Sequence, residues 1–174
     1  YTFLERILIP TGLHHFIYTP FIYGPAVVSE GIATYWPAHI KEFSTAAYSL
    51  KEMFPQGGFA LHGLSKVFGS IGMAGAMYAT AKPSKKKIVA GLLIPATLTA
   101  VLAGITEPLE FTFLFVAPVL FLVHALLAAT LSATSFAFGV TGNFGSGLID
   151  WAVQNWLPLF KYHPGTYITQ IVIG

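Results

Sequence analysis

The 174-residue sequence contains no cysteine, and only 9% of its residues are charged. Without cysteine the chain cannot form a disulfide, a thiolate nucleophile or a sulfur-ligated metal site. A soluble domain carries about 25% charged residues, so this chain has too few polar groups to cover a soluble surface. A soluble all-α bundle is disfavoured because residues 88–149 lack the charged helix faces that it needs. The composition instead indicates helices surrounded by lipid or by other apolar helices.

Hydrophobic residues make up 55% of the chain and aromatic residues 15%, and the mean hydropathy is +0.68. The net charge of +2 does not indicate nucleic-acid binding, because the main basic cluster is one short loop at 82–87. A short lysine-rich loop between apolar segments is typical of the cytoplasmic side of a membrane. No secretory signal is visible, and the sequence starts and stops inside apolar stretches, so we interpret it as part of a longer membrane protein.

Long uncharged runs predict the membrane segments. Residues 7–29 are uncharged but carry several prolines and glycines, so they predict broken rather than straight helices. Residues 67–81 form a short apolar run, and residues 88–106 and 111–149 form longer ones, the last interrupted by glycines near 139–147. Residues 31–66 are more polar and predict an extramembrane or interfacial excursion with a short helix near 37–53. The fold class expected is all-α, with polytopic transmembrane helices.

Two carboxylates, Glu107 and Glu110, stand between the apolar runs. A charge at membrane depth costs at least about 2.5–3.5 kcal/mol and is therefore usually functional. Pro108 favours the first position of a helix, which makes Glu107 the predicted N-cap and places Glu110 in the first turn. A broken helix whose N-terminus points into a cavity is a common construction of transporter sites. We interpret Glu107 as functional and Glu110 as a helix-capping acid.

Three blocks resemble one protein family. Residues 104–121 (GITEPLEFTFLFVAPVLF) closely resemble the signature of the membrane subunits, or IIC domains, of the glucose superfamily of sugar phosphotransferase systems. Residues 6–25 and 77–93 resemble two further blocks of the family, in the same order. The sequence of block 6–25 looks most like that of the maltose and α-glucoside branch of the family. The resemblance implies the C-terminal, transport-domain half of an elevator-type transporter with re-entrant or broken helical hairpins, the N-terminal helices and the IIB domain lying outside residues 1–174.

The resemblance also implies partners and a location. The protein would work as a homodimer, through an N-terminal domain outside this sequence, in the bacterial cytoplasmic membrane as a multi-pass protein. It would bring in an α-glucoside, which its resemblance to the maltose branch suggests is maltose, with phosphoenolpyruvate as the energy source. A phosphocysteine on a IIB domain would phosphorylate the sugar, which makes the chain a phosphotransferase component. No cofactor, metal or nucleic acid is expected.

The site residues follow from the matching motifs. Glu107 would bind the sugar and act catalytically, and Thr106 precedes it in the same turn. His14 would also reach the sugar, with His15 as its neighbour, and Arg6 begins the same block. The residues themselves are compatible with these roles, because a carboxylate accepts hydrogen bonds from vicinal hydroxyls and can take a proton. Arg6 could pair with Glu107 in the empty site or stabilise the incoming phosphate.

Two other functions stay open from the residues alone. An ion- or proton-coupled secondary sugar transporter could use Glu107 as its proton carrier, and a membrane scaffold would need neither the glutamate nor the histidines. The roles of His62, His124 and Asn143 are not decided, although a lone histidine on an apolar helix most often makes a packing hydrogen bond. Which sugar is bound, and whether the site faces inward or outward, is also open.

Overall fold

The computed structural model describes residues 1–174 and consists of helices, with no β-strand. The α-helices are α1 (Thr2–Ile7), α2 (His14–Ile22), α3 (Ile32–Thr45), α4 (Leu50–Met53), α5 (Ser70–Thr80), α6 (Lys86–Ala103), α7 (Glu107–Leu114), α8 (Pro118–Ala137), α9 (Leu148–Trp151), α10 (Leu157–Leu159) and α11 (Pro164–Ile173). Between them lie 3-10 helices at Ile9–Thr11, Pro55–Gly63 and Pro83–Lys85, and π-helical turns at Ser65–Gly69 and Ala152–Trp156. The predicted all-α class is confirmed.

Two helical stretches, Pro83–Ala103 and Pro118–Ala137, are long and apolar enough to cross a membrane. Roughly 20 residues suffice, because an α-helix rises 1.5 Å per residue and the hydrocarbon core is about 30 Å thick. Only 17% of the apolar window of the first stretch and 33% of that of the second is buried. Since a core helix of a soluble protein would be mostly buried, these surfaces indicate lipid or further helices as their neighbours. The larger number of membrane passes stays a prediction.

A sharp turn separates α6 from α7. Gly104 ends α6 with a φ of +78°, and a Cβ added there would lie 2.7 Å from backbone atoms of Ser146 and Gly147. Only glycine fits that combination of left-handed backbone and close approach. Thr106 is the N-cap of α7, since its carbonyl accepts the backbone N–H of Glu110 at 2.9 Å. Glu107, predicted as the N-cap, is instead the first helical residue.

The segment 31–66 departs from its predicted single helix near 37–53. It contains two helices, α3 and α4, because Ser49 starts a new helix with a reciprocal capping box: its hydroxyl accepts the Glu52 N–H, and its own N–H donates to the Glu52 carboxylate. Hydrogen bonds from the hydroxyl and the backbone of Ser49 hold the pKa of the exposed Glu52 below its ordinary value.

The main hydrophobic core joins residues from both ends of the chain. It contains Ile22, Ile32, Trp36, Phe43, Leu50, Phe54, Ala60, Leu61, Leu64, Val67, Val140, Phe144, Trp151, Leu159 and Tyr167. Trp36 is fully buried and donates its Nε1–H to the carbonyl of Gln154 at 2.9 Å. Residues 31–66 thus supply a large share of the core, and their extramembrane location stays a prediction.

A glycine-rich loop connects α8 to α9, as the glycines near 139–147 predicted. Most of it is buried, unlike an ordinary surface connection. The Trp151 indole donates to the carbonyls of Phe144 and Ser146 at 3.1 and 3.0 Å, and the Asn155 amide donates to the carbonyl of Asn143 at 2.9 Å. These bonds satisfy three carbonyls of the loop, and Ser146 and Gly147 of the loop pack against Gly104 in the α6–α7 turn.

Candidate functional site

A polar cavity of about 170 Å³ opens where α1, α2 and the α6–α7 turn meet. Every residue predicted to bind sugar lines this cavity: Arg6, His14, His15, Thr106 and Glu107. The two contributing segments are far apart in sequence, since Arg6 and Thr106 are separated by 100 in residue number. The structure therefore brings the predicted residues together around one chamber, and their contact with a sugar stays a prediction.

Glu107 is the carboxylate of this cavity that has no cationic partner. Its side chain is 38% exposed, and the nearest ionisable group is His14, whose Nε2 lies 3.9 Å from the Glu107 Oε1. No lysine or arginine lies within ion-pairing distance of Glu107. The N-terminus of α7 stabilises its negative charge. Both carboxylate oxygens are therefore available to accept hydrogen bonds from a ligand.

Arg6 is almost completely buried and ties three parts of the fold together. Its Nη1 donates to the Thr106 hydroxyl at 3.2 Å and to the Glu110 carboxylate at 3.1 Å. Its Nη2 donates to the backbone carbonyl of His62 at 3.1 Å, and its Nε lies 3.3 Å from the Glu5 carboxylate. A guanidinium has five N–H donors, so these contacts leave little capacity for a ligand.

The hypothesis that Arg6 pairs with Glu107 in the empty site is wrong for this structure, because Glu110 takes that place. Glu110 is fully buried, and its Oε1 also lies 3.2 Å from the Nε2 of His124. Reading Glu110 only as a helix-capping acid was therefore incomplete: it lies deeper along α7 than Glu107 and joins a buried ionic network. His124, on the long helix α8, makes the packing hydrogen bond expected of a lone histidine.

The histidine pair lies at the start of α2, with His14 beside Glu107. His14 is buried and its ring packs on that of the exposed His15, with centroids 4.2 Å apart. The Nδ1 of His15 lies 2.8 Å from the hydroxyl of Tyr18, while the Nδ1 of His14 has no hydrogen-bond partner. No group of three or more His, Asp or Glu side chains is arranged to hold a metal ion.

Sequence reasoning missed three residues that line the same cavity: Glu5, Tyr18 and Lys66. Lys66 makes no ion pair or side-chain hydrogen bond. A usable signal existed for two of them: Lys66 directly borders the apolar run 67–81, and Glu5 is separated from the run 7–29 only by Arg6, where a charge is costly. Tyr18 carried no such signal, because tyrosine is common at any membrane interface.

A second polar cavity, of about 280 Å³, adjoins the first and shares Tyr18 and Lys66 with it. His62 and Asn143, whose roles the sequence left open, both line this second cavity. Asp150, the residue that follows the uncharged run 111–149, lines it too. The two chambers form one polar region at the meeting point of broken helices, the usual location of a transporter site.

Comparison with known proteins points to one family. The family described as "Phosphotransferase system, EIIC" matches residues 1–129. The chain is 70% identical over 174 residues to the PTS system alpha-glucoside-specific EIICB component of Leptotrichia buccalis, covering 100% of this chain and 33% of the relative. It is 67% identical over 174 residues to the PTS system maltose-specific EIICB component of Bacillus subtilis, again covering 100% of this chain and 33% of the relative.

A third relative, the PTS system alpha-glucoside-specific EIICB component of Klebsiella pneumoniae, is 62% identical over 175 residues, which cover 100% of this chain and 32% of the relative. The chain thus spans about a third of the length of the curated relatives that it matches.

Proposed function

Because the chain belongs to the EIIC family of the phosphotransferase system, we propose that it forms the sugar-binding part of a permease for an α-glucoside such as maltose. The permease lies in the bacterial cytoplasmic membrane as a multi-pass protein, and phosphoenolpyruvate supplies the phosphoryl group through a IIB domain. The names of the relatives support the substrate class. The observation that carries the proposal is the cavity with an unpaired Glu107 beside His14.

Glu107 is the acceptor for the sugar in this proposal. Its carboxylate accepts hydrogen bonds from two vicinal hydroxyls, while His14, beside it at 3.9 Å, and the neighbouring His15 contact the sugar from the α2 side. Thr106 and Arg6 line the same cavity, but the Thr106 hydroxyl already accepts a hydrogen bond from Arg6, so these two residues mainly shape the wall beside Glu107. The buried network around Arg6 keeps this wall rigid, so that Glu107 does not have to be ordered when the sugar arrives.

Phosphoryl transfer follows on the cytoplasmic side. A sugar hydroxyl oxygen attacks the phosphorus of the IIB phosphocysteine, the new O–P bond forms, and the P–S bond breaks to release the cysteine thiolate. Glu107 takes the proton of the attacking hydroxyl. The chain holds no cysteine, so the phosphodonor belongs to another domain. The remaining catalysis consists of positioning and charge stabilisation.

Movement of the sugar across the membrane is proposed as an elevator motion. Residues 1–174 move as part of a transport domain with broken helical hairpins, against a dimerisation domain formed by N-terminal helices outside this sequence. The α6–α7 turn and the buried glycine-rich loop beside it support this arrangement, because irregular backbone at membrane depth is tolerated where it lines a cavity. The proton-coupled alternative has no support among the relatives.

Uptake and binding by the full-length permease test the proposal. In vesicles supplied with the general phosphotransferase proteins, maltose uptake requires phosphoenolpyruvate, yields sugar phosphate and survives an uncoupler. Uptake that an uncoupler abolishes, with free maltose recovered inside, would overturn it. Glu107→Gln removes the charge and keeps the shape, so loss of a charged hydrogen bond of about 1.5–3 kcal/mol weakens maltose binding by roughly 10- to 150-fold. The matched control is Glu42→Gln, which alters an exposed acid of α3 and leaves the Kd unchanged.

A further inference from the structure

The 280 Å³ cavity contains hydrogen-bonding groups that the proposed site does not use. Its wall includes the carboxylate of Asp150, the ammonium of Lys66 and the amides of Asn143 and Gln154. Asp150 and Lys66 form no ion pair within 4.0 Å with each other or with any other charged residue. Charged and neutral hydrogen-bonding groups, donors as well as acceptors, therefore line the same cavity, as recognition of a polyol requires.

The amide wall is fixed in place before any ligand binds. The Asn143 Nδ2 donates to the Gln154 Oε1 at 2.7 Å, and the backbone on both sides is anchored by buried groups. The Trp36 indole holds the carbonyl of Gln154 at 2.9 Å, and the Asn155 amide holds the carbonyl of Asn143 at the same distance. Such a wall loses little conformational entropy when it binds a ligand.

The sizes of the two chambers limit what each can hold. The first, with Glu107, measures about 170 Å³, which is below the range of about 300–1,000 Å³ typical of ligand pockets. With the second chamber of about 280 Å³ the space enters that range. Tyr18 and Lys66 line both chambers, so the two chambers adjoin at these side chains.

We propose that the second cavity is a subsite for the second pyranose ring of a disaccharide, with Asp150 and Gln154 as specificity-determining residues. The inference rests on the proposed function and extends it, because it assigns one ring to Glu107 and the other to the Asp150 side. The protein then prefers two-ring α-glucosides to single-ring ones. Asp150 accepts hydroxyl hydrogens of the second ring, and the free Nε2 of Gln154 donates to its oxygens.

The test compares a one-ring with a two-ring ligand on the full-length permease. Methyl α-glucoside and maltose are titrated by calorimetry against the wild type, Asp150→Asn and Asp150→Ala. Asp150→Ala is expected to raise the maltose Kd about 10-fold or more and to leave the methyl α-glucoside Kd within about twofold. Asp150→Asn, which keeps the shape and one acceptor, gives a smaller increase. Unchanged methyl α-glucoside binding shows that each variant is folded.

The same titrations distinguish failure of the proposed subsite from failure of the proposed function. If Asp150→Ala weakens both ligands equally or weakens neither, the subsite is wrong while the proposed function stands. The subsite is also wrong if the wild type binds methyl α-glucoside as tightly as maltose. If the wild type binds neither sugar, the proposed function fails and the subsite fails with it. Glu107→Gln serves as the reference, because it should weaken both ligands.

Discussion

Replacement of Glu110 should damage the fold far more than replacement of Glu107, although the two acids are three residues apart. Glu110 is fully buried and holds both Arg6 and His124, whereas the side chain of Glu107 is 38% exposed and pairs with no cation. Removal of one member of a buried ion pair costs about 3–5 kcal/mol, because the other charge stays buried without compensation. We expect that loss for Glu110→Ala.

The milder substitution Glu110→Gln should reduce the free energy of unfolding by less than Glu110→Ala does. In Glu110→Gln the amide oxygen still accepts from Arg6 and His124, and Glu5 remains 3.3 Å from the guanidinium, so only the charge is lost. The expected cost is therefore that of one charged hydrogen bond, about 1.5–3 kcal/mol. Glu107→Gln should change the free energy of unfolding by less than about 0.5 kcal/mol, as surface substitutions usually do.

Thermal unfolding of the purified full-length permease, followed by tryptophan fluorescence without sugar, measures the order of these effects. The midpoint should fall most for Glu110→Ala, less for Glu110→Gln and hardly at all for Glu107→Gln. Sugar binding should show the opposite selectivity, with Glu107→Gln the weakest binder among the variants that remain folded. A Glu107→Gln midpoint as low as that of Glu110→Gln, or a Glu110→Ala midpoint equal to the wild type, would refute the ionic network.

Two further substitutions test the positions that frame the site. Arg6→Lys should lower both the unfolding midpoint and the uptake rate, because a single ammonium cannot reproduce the contacts that the guanidinium makes with Thr106, Glu110 and the backbone; full uptake would contradict this role. Gly104→Ala should cost more than about 1 kcal/mol, because φ is +78° and the added Cβ meets neighbouring backbone. Its control is Gly75→Ala in α5, where an added Cβ has nothing within 4 Å; equal midpoints for the two would contradict the strained turn.

The membrane class and the position of Glu107 at a polar cavity could be predicted, because both predictions depend on the cost of charge in an apolar environment. Few charges and long uncharged runs required helices in lipid, since a helix satisfies its own backbone hydrogen bonds there. The same cost made Glu107 conspicuous. The family resemblance then added Arg6, His14, His15 and Thr106, which the structure places around the same cavity as Glu107.

Helix boundaries were less predictable. The glycines near 139–147 correctly predicted a break after α8. The helix predicted near 37–53 was wrong in its bounds: α3 begins earlier and ends at Thr45, and the Ser49 capping box starts a new helix. The burial of the glycine-rich loop had no signal in the sequence either. Its hydrogen bonds to Trp151 and Asn155 depend on side chains that follow it in the chain but meet it only in the folded protein.

By itself the sequence indicated a membrane protein and a carboxylate, Glu107, between long uncharged runs, because composition and charge spacing can be read without a fold. Only the tertiary structure decided which acid is paired and which is free. Arg6 meets Glu110 rather than Glu107, and Asp150 comes to line a chamber that adjoins the one beside His14, because helix packing sets distances between side chains that are remote in sequence.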